Sequence, residues 1–221
     1  MLTLHAAELL VPGPGRAALP GGAVLVEGDR IARVGPYEEL GAAFAQARVR
    51  RWPGVLTPGL LVRGADELLE RTYYPEDTEG TEGTEGTEGA GGPDRISGAD
   101  ALACLELTES RWGNSARRAT QKLLARGVVA VAGRLTVPAV RTAVVRSGLT
   151  LIAPLPYGAP PSLDPLAGLT AAEEAFHRVL EAGAPARFAV FAAADERDLL
   201  EQGATSCVAT VIGGRLLHRR R

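Results

Sequence analysis

Lysine is almost missing from this chain: Lys122 stands alone among 24 basic residues, and the other 23 are arginine. With the abundant alanine and glycine, this composition reads as the mark of a high-GC gene rather than of a mechanism. Aromatic residues make up only 5% of the sequence, so a core must be assembled mainly from Ala, Val and Leu. Cysteine occurs twice, at Cys104 and Cys207, too far apart for any C-x-x-C pattern. Two buried free thiols in a reducing compartment are therefore expected, and neither a disulfide nor a cysteine metal site is. No stretch reaches the roughly 18 consecutive apolar residues of a membrane span. The N-terminus likewise lacks a basic region followed by an apolar run, and the expected location is the cytoplasm with no membrane partner. A net charge of −2 and a pI near 6.0 argue against a general nucleic-acid binder.

The acids that do occur are unevenly spread. Residues 75–94, PEDTEGTEGTEGTEGAGGPD, hold seven acids and no base, which leaves 24 basic residues against 19 acidic ones elsewhere. Four tandem TEG triplets occupy residues 78–89. They offer no apolar side chain to bury and their charges repel, so a disordered linker is expected over 75–94. The acids recur every third residue, which does not build the rigid cage of a calcium loop. The C-terminal LLHRRR forms a short basic tail, which reads as a solvated terminus although arginines of this kind can also touch phosphate or lipid.

Around the linker, the two ends of the chain read as β-structure. Residues 1–11 can extend and PGPG must turn. Ala23–Glu27 and Arg30–Val34 form a hairpin signal across Gly28-Asp29, a pair that tolerates the positive φ of tight turns. PYEELGAAFAQAR suggests a short helix, with VRRW and VLT as short strands after it. At the other end, ARFAVFAA and CVATVIGGRLLHR are strands, the latter folding back at Gly213-Gly214. Between them, NSARRATQKLLARG predicts an amphipathic helix capped by Ser115 and ended at Gly127. VVAVAG and LTLIAPL are buried strands around the helix VPAVRTAVVRSG, a β/α/β unit that requires a parallel pair. The proline-rich PLPYGAPPSLDPLAG follows, and LTAAEEAFHRVLEAG predicts one more helix. The expected class is α/β. A parallel pair needs cover and further strands, so residues near 58–62, or a second copy of the chain, should join it.

Several common chemistries find no support. GPG at residues 13–15 is not followed by the Gly-Lys-Ser/Thr of a phosphate loop. No Gly-x-Ser-x-Gly occurs, and Cys104 has no evident histidine partner. Trp52, Trp112, Tyr73 and Tyr74 can line a pocket or pack in the core.

Five stretches in order, AVLVEGDRIARVG, LTPGLL, RGVVAVAG, LEAGAPARFAVF and CVATVIGGRLLHR, resemble the amidohydrolase superfamily, especially its imidazolonepropionase and aminodeoxyfutalosine-deaminase branch. The resemblance implies a small composite β-sandwich formed by both termini (1–57 with 184–221) beside a truncated β/α barrel remnant (58–74 and 95–183). It also implies hydrolysis at a non-peptide carbon–nitrogen bond, with one or two ions such as zinc or iron that lower the pKa of bound water. The chain departs from that pattern where the metal should bind. LTPGLLVRGAD places Gly64 and Asp66 where the first two histidine ligands belong, and Arg187 replaces an aspartate in the LEAGAPAR run. A full barrel needs about 250 residues, whereas Pro58 to Ser162 spans about 105.

Only three histidines exist, His5, His177 and His218, and the first and last fall in terminal strands. Asp66 and His177 are thus the remaining candidate ligands, with Asp66 also a candidate general base. Each has a structural alternative: Asp66 beside a helix start meets the helix dipole favourably, and His177 can flank an apolar helix face. The expected function is that of a homologue that has lost metal-dependent catalysis and acts as a structural or regulatory partner, with no cofactor. A homodimer or a full-length amidohydrolase is the expected partner. The alternative is a working hydrolase, for cyclic amides or for amine deamination, with zinc or iron.

Overall fold

A computed structural model describes residues 1–76, 95–105, 107–158 and 160–220. The expectation of disorder for the TEG triplets falls outside the described residues. The first part of the chain contributes β1 (Leu2–Leu10), β2 (Leu19–Pro20), β3 (Gly22–Glu27), β4 (Arg30–Pro36), α1 (Tyr37–Ala43) and β5 (Arg48–Pro58). The middle holds β6 (Leu60–Arg63), α2 (Ala65–Glu70), β7 (Thr72–Tyr73), β8 (Ile96–Ser97), α3 (Ala99–Ala103), α4 (Glu109–Leu124), β9 (Val128–Ala132), α5 (Pro138–Arg146) and β10 (Thr150–Ile152). The last part adds β11 (Arg187–Phe191), α6 (Glu196–Gln202), β12 (Cys207–Ile212) and β13 (Arg215–Arg219).

Strands from both ends share one eight-stranded sheet, ordered β13-β12-β11-β5-β1-β3-β4 with β2 on the end of β1. β5 is the seam. Its N-terminal part runs parallel to β1, and its last four residues, Val55 to Pro58, pair antiparallel with β11. The sheet rolls on itself, because the hairpin between β3 and β4 bonds to the chain just before β11. Ile31 N donates to Ala184 O and Ala186 N donates to Asp29 O, each at 2.8 Å. Val24, Val26 and Ile31 consequently share a buried cluster with Phe188, Val190, Ala209 and Val211. Successive residues of β3 enter opposite faces, Val24 and Val26 this cluster and Ala23 and Leu25 a second one with Leu40 of α1, so both faces leave water. The hairpin turn itself works as read, with Gly28 at φ +62°.

The second layer is a short parallel sheet, β10-β9-β6. Residues 60–63 supply its third strand, as the need for cover required, with Leu60 in register with Val128. β9 is buried at every position and packs among α4, β11 and β12. An unbroken apolar run suits such a strand, covered on both faces. Thr210 Oγ1 donates to Leu124 O at 2.6 Å, tying the end of α4 to β12. The molecule is therefore α/β: a rolled composite sheet from both ends of the chain, carrying a short β/α unit.

Three local expectations are corrected. The helix expected from Asn114 starts earlier, at Glu109, where Thr108 Oγ1 accepts from Arg111 N at 3.3 Å. Ser115 lies inside that helix, fully buried, and its Oγ accepts from Tyr74 N at 2.9 Å. The segment 169–183 forms only a 3-10 turn, Ala172–Ala175, and then extends. Phe176 there bridges Leu60 and His177 N donates to Gly59 O at 2.9 Å, so covering the edge of β6 competes with helix formation and wins. Finally, Cys207 is buried but Cys104 is exposed, because it sits at the end of α3, a short helix with no buried residue.

Candidate functional site

In parallel β/α units, ligands gather at the carboxyl ends of the strands. Here that end of the parallel sheet lies at Gly64, after β6, and at Gly133, after β9. Gly64 has φ +71° and opens α2 as its N-cap. A Cβ on it would overlap Pro161 Cγ and stand 3.0 Å from Pro161 Cβ and 3.2 Å from Tyr157. A Cβ on Gly133 would stand 2.9 Å from Ala65 Cβ and 3.0 Å from Asp66 N. Both close approaches need glycine. The start of α2 and the proline-rich segment therefore occupy the strand ends.

That segment is anchored. Asp164 accepts from Leu166 N at 2.9 Å and from Ala204 N at 3.0 Å, fastening it to the turn after α6. Arg63 reaches over to donate to Glu174 O at 3.2 Å. The hollow left between β6 and the proline-rich segment measures about 100 Å³, well under the roughly 300–1,000 Å³ of small-molecule sites. Larger hollows lie elsewhere, about 830 Å³ between α4 and α5 and about 580 Å³ beside β1 at Tyr37 and Glu8. Neither is lined by a histidine or cysteine among the described residues.

The candidate ligands are not brought together. Asp66 lies in the first turn of α2, past the end of β6. His177 lies beside Gly59, before the start of β6. Four strand residues separate the two places, roughly 13 Å of rise. Burial, then the charges of Arg178 and Arg187, push His177 down to about 4, which keeps it neutral. Arg187 is a fastener for the far end of the same sheet. Its guanidinium donates to Gly148 O at 3.0 Å and Val129 O at 3.3 Å, where β9 and β10 begin. Burial, then Arg178, holds it below its ordinary value.

Among the described residues no three His, Cys, Asp or Glu side chains converge as a metal site would require. Gly64 also brings no donor atom. The residues present at the strand ends therefore do not fit the zinc or iron of the expected family chemistry. The four aromatic residues pack instead of lining a pocket at the strand ends. Tyr73 and Tyr74 are each 1% exposed, Trp112 meets Tyr73 edge-on, and Trp52 donates from Nε1 to His5 Nδ1 at 3.2 Å.

Sequence reasoning missed one tie that shapes this region. Glu70, the last residue of α2, accepts from Thr136 N and Val137 N at 2.7 Å each and from Thr136 Oγ1 at 2.9 Å. Val137, the N-cap of α5, makes no side-chain cap bond, and Glu70 satisfies the N–H of Val137 itself, one of the groups left without a partner at a helix start. A lone glutamate 67 residues before the N–H group that it caps leaves no local signal.

The architecture defines the chain as a composite α/β protein, with both termini in one sheet and a short β/α unit attached. Residues 22–47 match the family described as "Imidazolonepropionase-like composite domain, bacteria". This stretch covers β3, β4 and α1 and contains the hairpin on which the amidohydrolase resemblance first rests. A search of the curated proteins finds no match. Solved structures similar to the chain include Helicobacter pylori aminofutalosine deaminase, 15% identical, covering 75% of this chain and 36% of that one, TM-score 0.44. Guanine deaminase from Bradyrhizobium japonicum is 16% identical, with 69% and 34% covered and a TM-score of 0.45. An adenosine deaminase from Xanthomonas campestris with bound zinc is 15% identical, with 68% and 33% covered and a TM-score of 0.41. The chain thus spans about a third of the length of these proteins. Among the described residues no helix is long and apolar enough to cross a membrane.

Proposed function

We propose that this chain is an imidazolonepropionase-like amidohydrolase homologue that has lost metal-dependent catalysis and serves as a structural or regulatory partner. The occupied strand ends carry this reading. Where a hydrolase of this kind needs converging ligands and room for a substrate, this chain places Gly64 against Pro161 and leaves about 100 Å³. Metal-assisted hydrolysis needs three or four donors around one ion, and the two candidates stand at opposite ends of β6.

The proposed partner is a second copy. β10 pairs with β9 on one side only, and no other strand of the described residues flanks it. Its three residues are partly exposed and are followed by Leu155, 38% exposed. An open edge can pair with its own symmetry mate across a twofold axis. Light scattering coupled to size-exclusion chromatography should report a dimer. A stable, non-aggregating monomer would overturn the homodimer and leave a full-length amidohydrolase as the class of partner to test.

A second reading has its own support in the family match at residues 22–47, which favours a hydrolase of a non-peptide carbon–nitrogen bond. Elemental analysis of protein purified without chelator separates the two. The proposal expects metal far below stoichiometric. Near-stoichiometric zinc, iron or manganese, together with opening of a cyclic amide or release of ammonia from an amine substrate, would overturn it.

A further inference from the structure

Three arginines, Arg48, Arg50 and Arg219, lie on the side of the rolled sheet that carries Trp52, away from the strand ends of the parallel sheet. Arg48, Arg50 and Trp52 alternate along β5 and so point to the same side, about 7 Å between successive members. The register confirms that side, since Trp52 pairs with Ala7 and Arg50 with His5, and Ala7 and Trp52 share the interior cluster. β11 flanks β5 only from Val55 onward, which leaves this half of β5 without a strand on that edge. Arg219 of β13 crosses to it, its guanidinium carbon 5.8 Å from the centre of the Trp52 ring.

Some arginines of this protein pair with acids: Arg16 with Glu181, Arg71 with Glu67, Arg118 with Glu76 and Arg197 with Glu201. Arg48, Arg50 and Arg219 have no carboxylate partner among the described residues. The floor beneath them supplies no negative charge either. His5 is buried, and its Nδ1 accepts from Trp52. Burial, then the positive charges of Arg48 and Arg219, push Arg50 below its ordinary value, in keeping with guanidiniums close enough to feel one another. Arg48 and Arg50 on the Trp52 side of β5, with Arg219 reaching the Trp52 ring, put guanidinium donors of the kind that a tetrahedral oxyanion accepts from on one side of the sheet, and their planar forks suit its oxygens.

We infer that Arg48, Arg50 and Arg219, above Trp52, form a binding site for a small phosphate-class oxyanion, as free phosphate or as the phosphate group of a soluble metabolite. The site is independent of whether the strand ends of the parallel sheet retain any chemistry. It lies on the rigid seam of the sheet, so binding requires only that the exposed guanidiniums settle on the ligand.

Trp52 makes the test direct. In a Trp112→Phe background its fluorescence should saturate on titration with pyrophosphate and, more weakly, with inorganic phosphate, and added salt should weaken the response. Arg50→Gln and Arg219→Gln should each weaken binding about tenfold, the loss of one charge-assisted hydrogen bond. Arg215→Gln, at the other end of β13, should leave it unchanged. No saturable response would overturn the site, as would an Arg215→Gln loss equal to that of Arg50→Gln. Co-sedimentation with phosphatidic acid vesicles that needs the same arginines, without any response to soluble phosphate or pyrophosphate, would overturn the soluble ligand in favour of a lipid headgroup. Circular dichroism of each variant distinguishes a lost site from a lost fold.

Discussion

Gly64 and Pro161 stand so close that no side chain fits between them: a Cβ on Gly64 would overlap the Pro161 ring. The position that would carry a metal-binding histidine is thereby built into the packing of the proline-rich segment. Gly64→His should destabilise the protein by about 1–3 kcal/mol, the usual cost of forcing a side chain into strained backbone, with overlap adding to it. Its metal content should equal that of the parent. Pro161→Ala should recover part of the loss when combined with Gly64→His and much less alone. Urea unfolding of the four proteins measures that coupling. Purely additive effects would show that Pro161 is not what the histidine meets.

Glu70 joins α2 to α5 through three hydrogen bonds. Glu70→Ala should cost about 1–2 kcal/mol, as the loss of a helix cap does, and Glu70→Gln less, since its carbonyl oxygen still accepts. Hydrogen exchange should quicken first at the start of α5. A change in urea midpoint within error of zero would mean that water replaces the carboxylate.

The two thiols should behave oppositely. Burial pushes Cys207 up to about 11, while Cys104 is exposed at the end of α3. An aromatic disulfide reagent should titrate one thiol in the folded protein and two in denaturant. Cys104→Ser should abolish the native reaction. Rapid modification of Cys207 in the folded state would contradict its burial at the start of β12.

Acid should weaken the fold before the carboxylates titrate. Burial, then Arg50, holds His5 down at about 3, against an ordinary 6.5, and His177 lies at about 4. Both folded values are depressed, so the unfolded chain binds more protons below pH 6.5. Their contribution is complete above that pH and is lost as pH falls toward the folded values. Between pH 7 and pH 5 the His5 contribution should fall by about 1.4 kcal/mol per pH unit below 6.5, with a smaller share from half-buried His177. His5→Asn keeps an acceptor for Trp52 and should flatten the profile. Chemical denaturation at several pH values in that window reads this out, and equal slopes for parent and variant would refute it.

Much of the fold is legible residue by residue. Gly28-Asp29 and Gly213-Gly214 mark turns because few residues accept positive φ, and the runs beside them are short and rich in Val, Ile, Leu and Ala, as buried strands are. Pro138 and Gly148 bracket α5 for the same local reasons. The end of α4 was legible, but its start was not: Ser115 looks like a cap, yet it is buried against Tyr74, a residue 41 positions away. The segment after Leu169 has helical periodicity, and the bond from His177 N to Gly59 O overrides it. Distant backbone groups that need partners outvote local propensity wherever a sheet edge would otherwise stand open.

The candidate site divides in the same way. That Gly64 lacks a donor atom is readable from the letter alone, and so are the scarcity of histidine and the shortness of the barrel-like region. That Asp66 and His177 lie at opposite ends of β6, that Glu70 caps α5, and that Arg219 crosses to Trp52 are products of the tertiary structure. Sequence by itself settles which chemical groups exist and which local conformations they favour. Only the closed sheet and its attached β/α unit decide which of those groups meet, because meeting depends on contacts among residues that the chain does not place side by side.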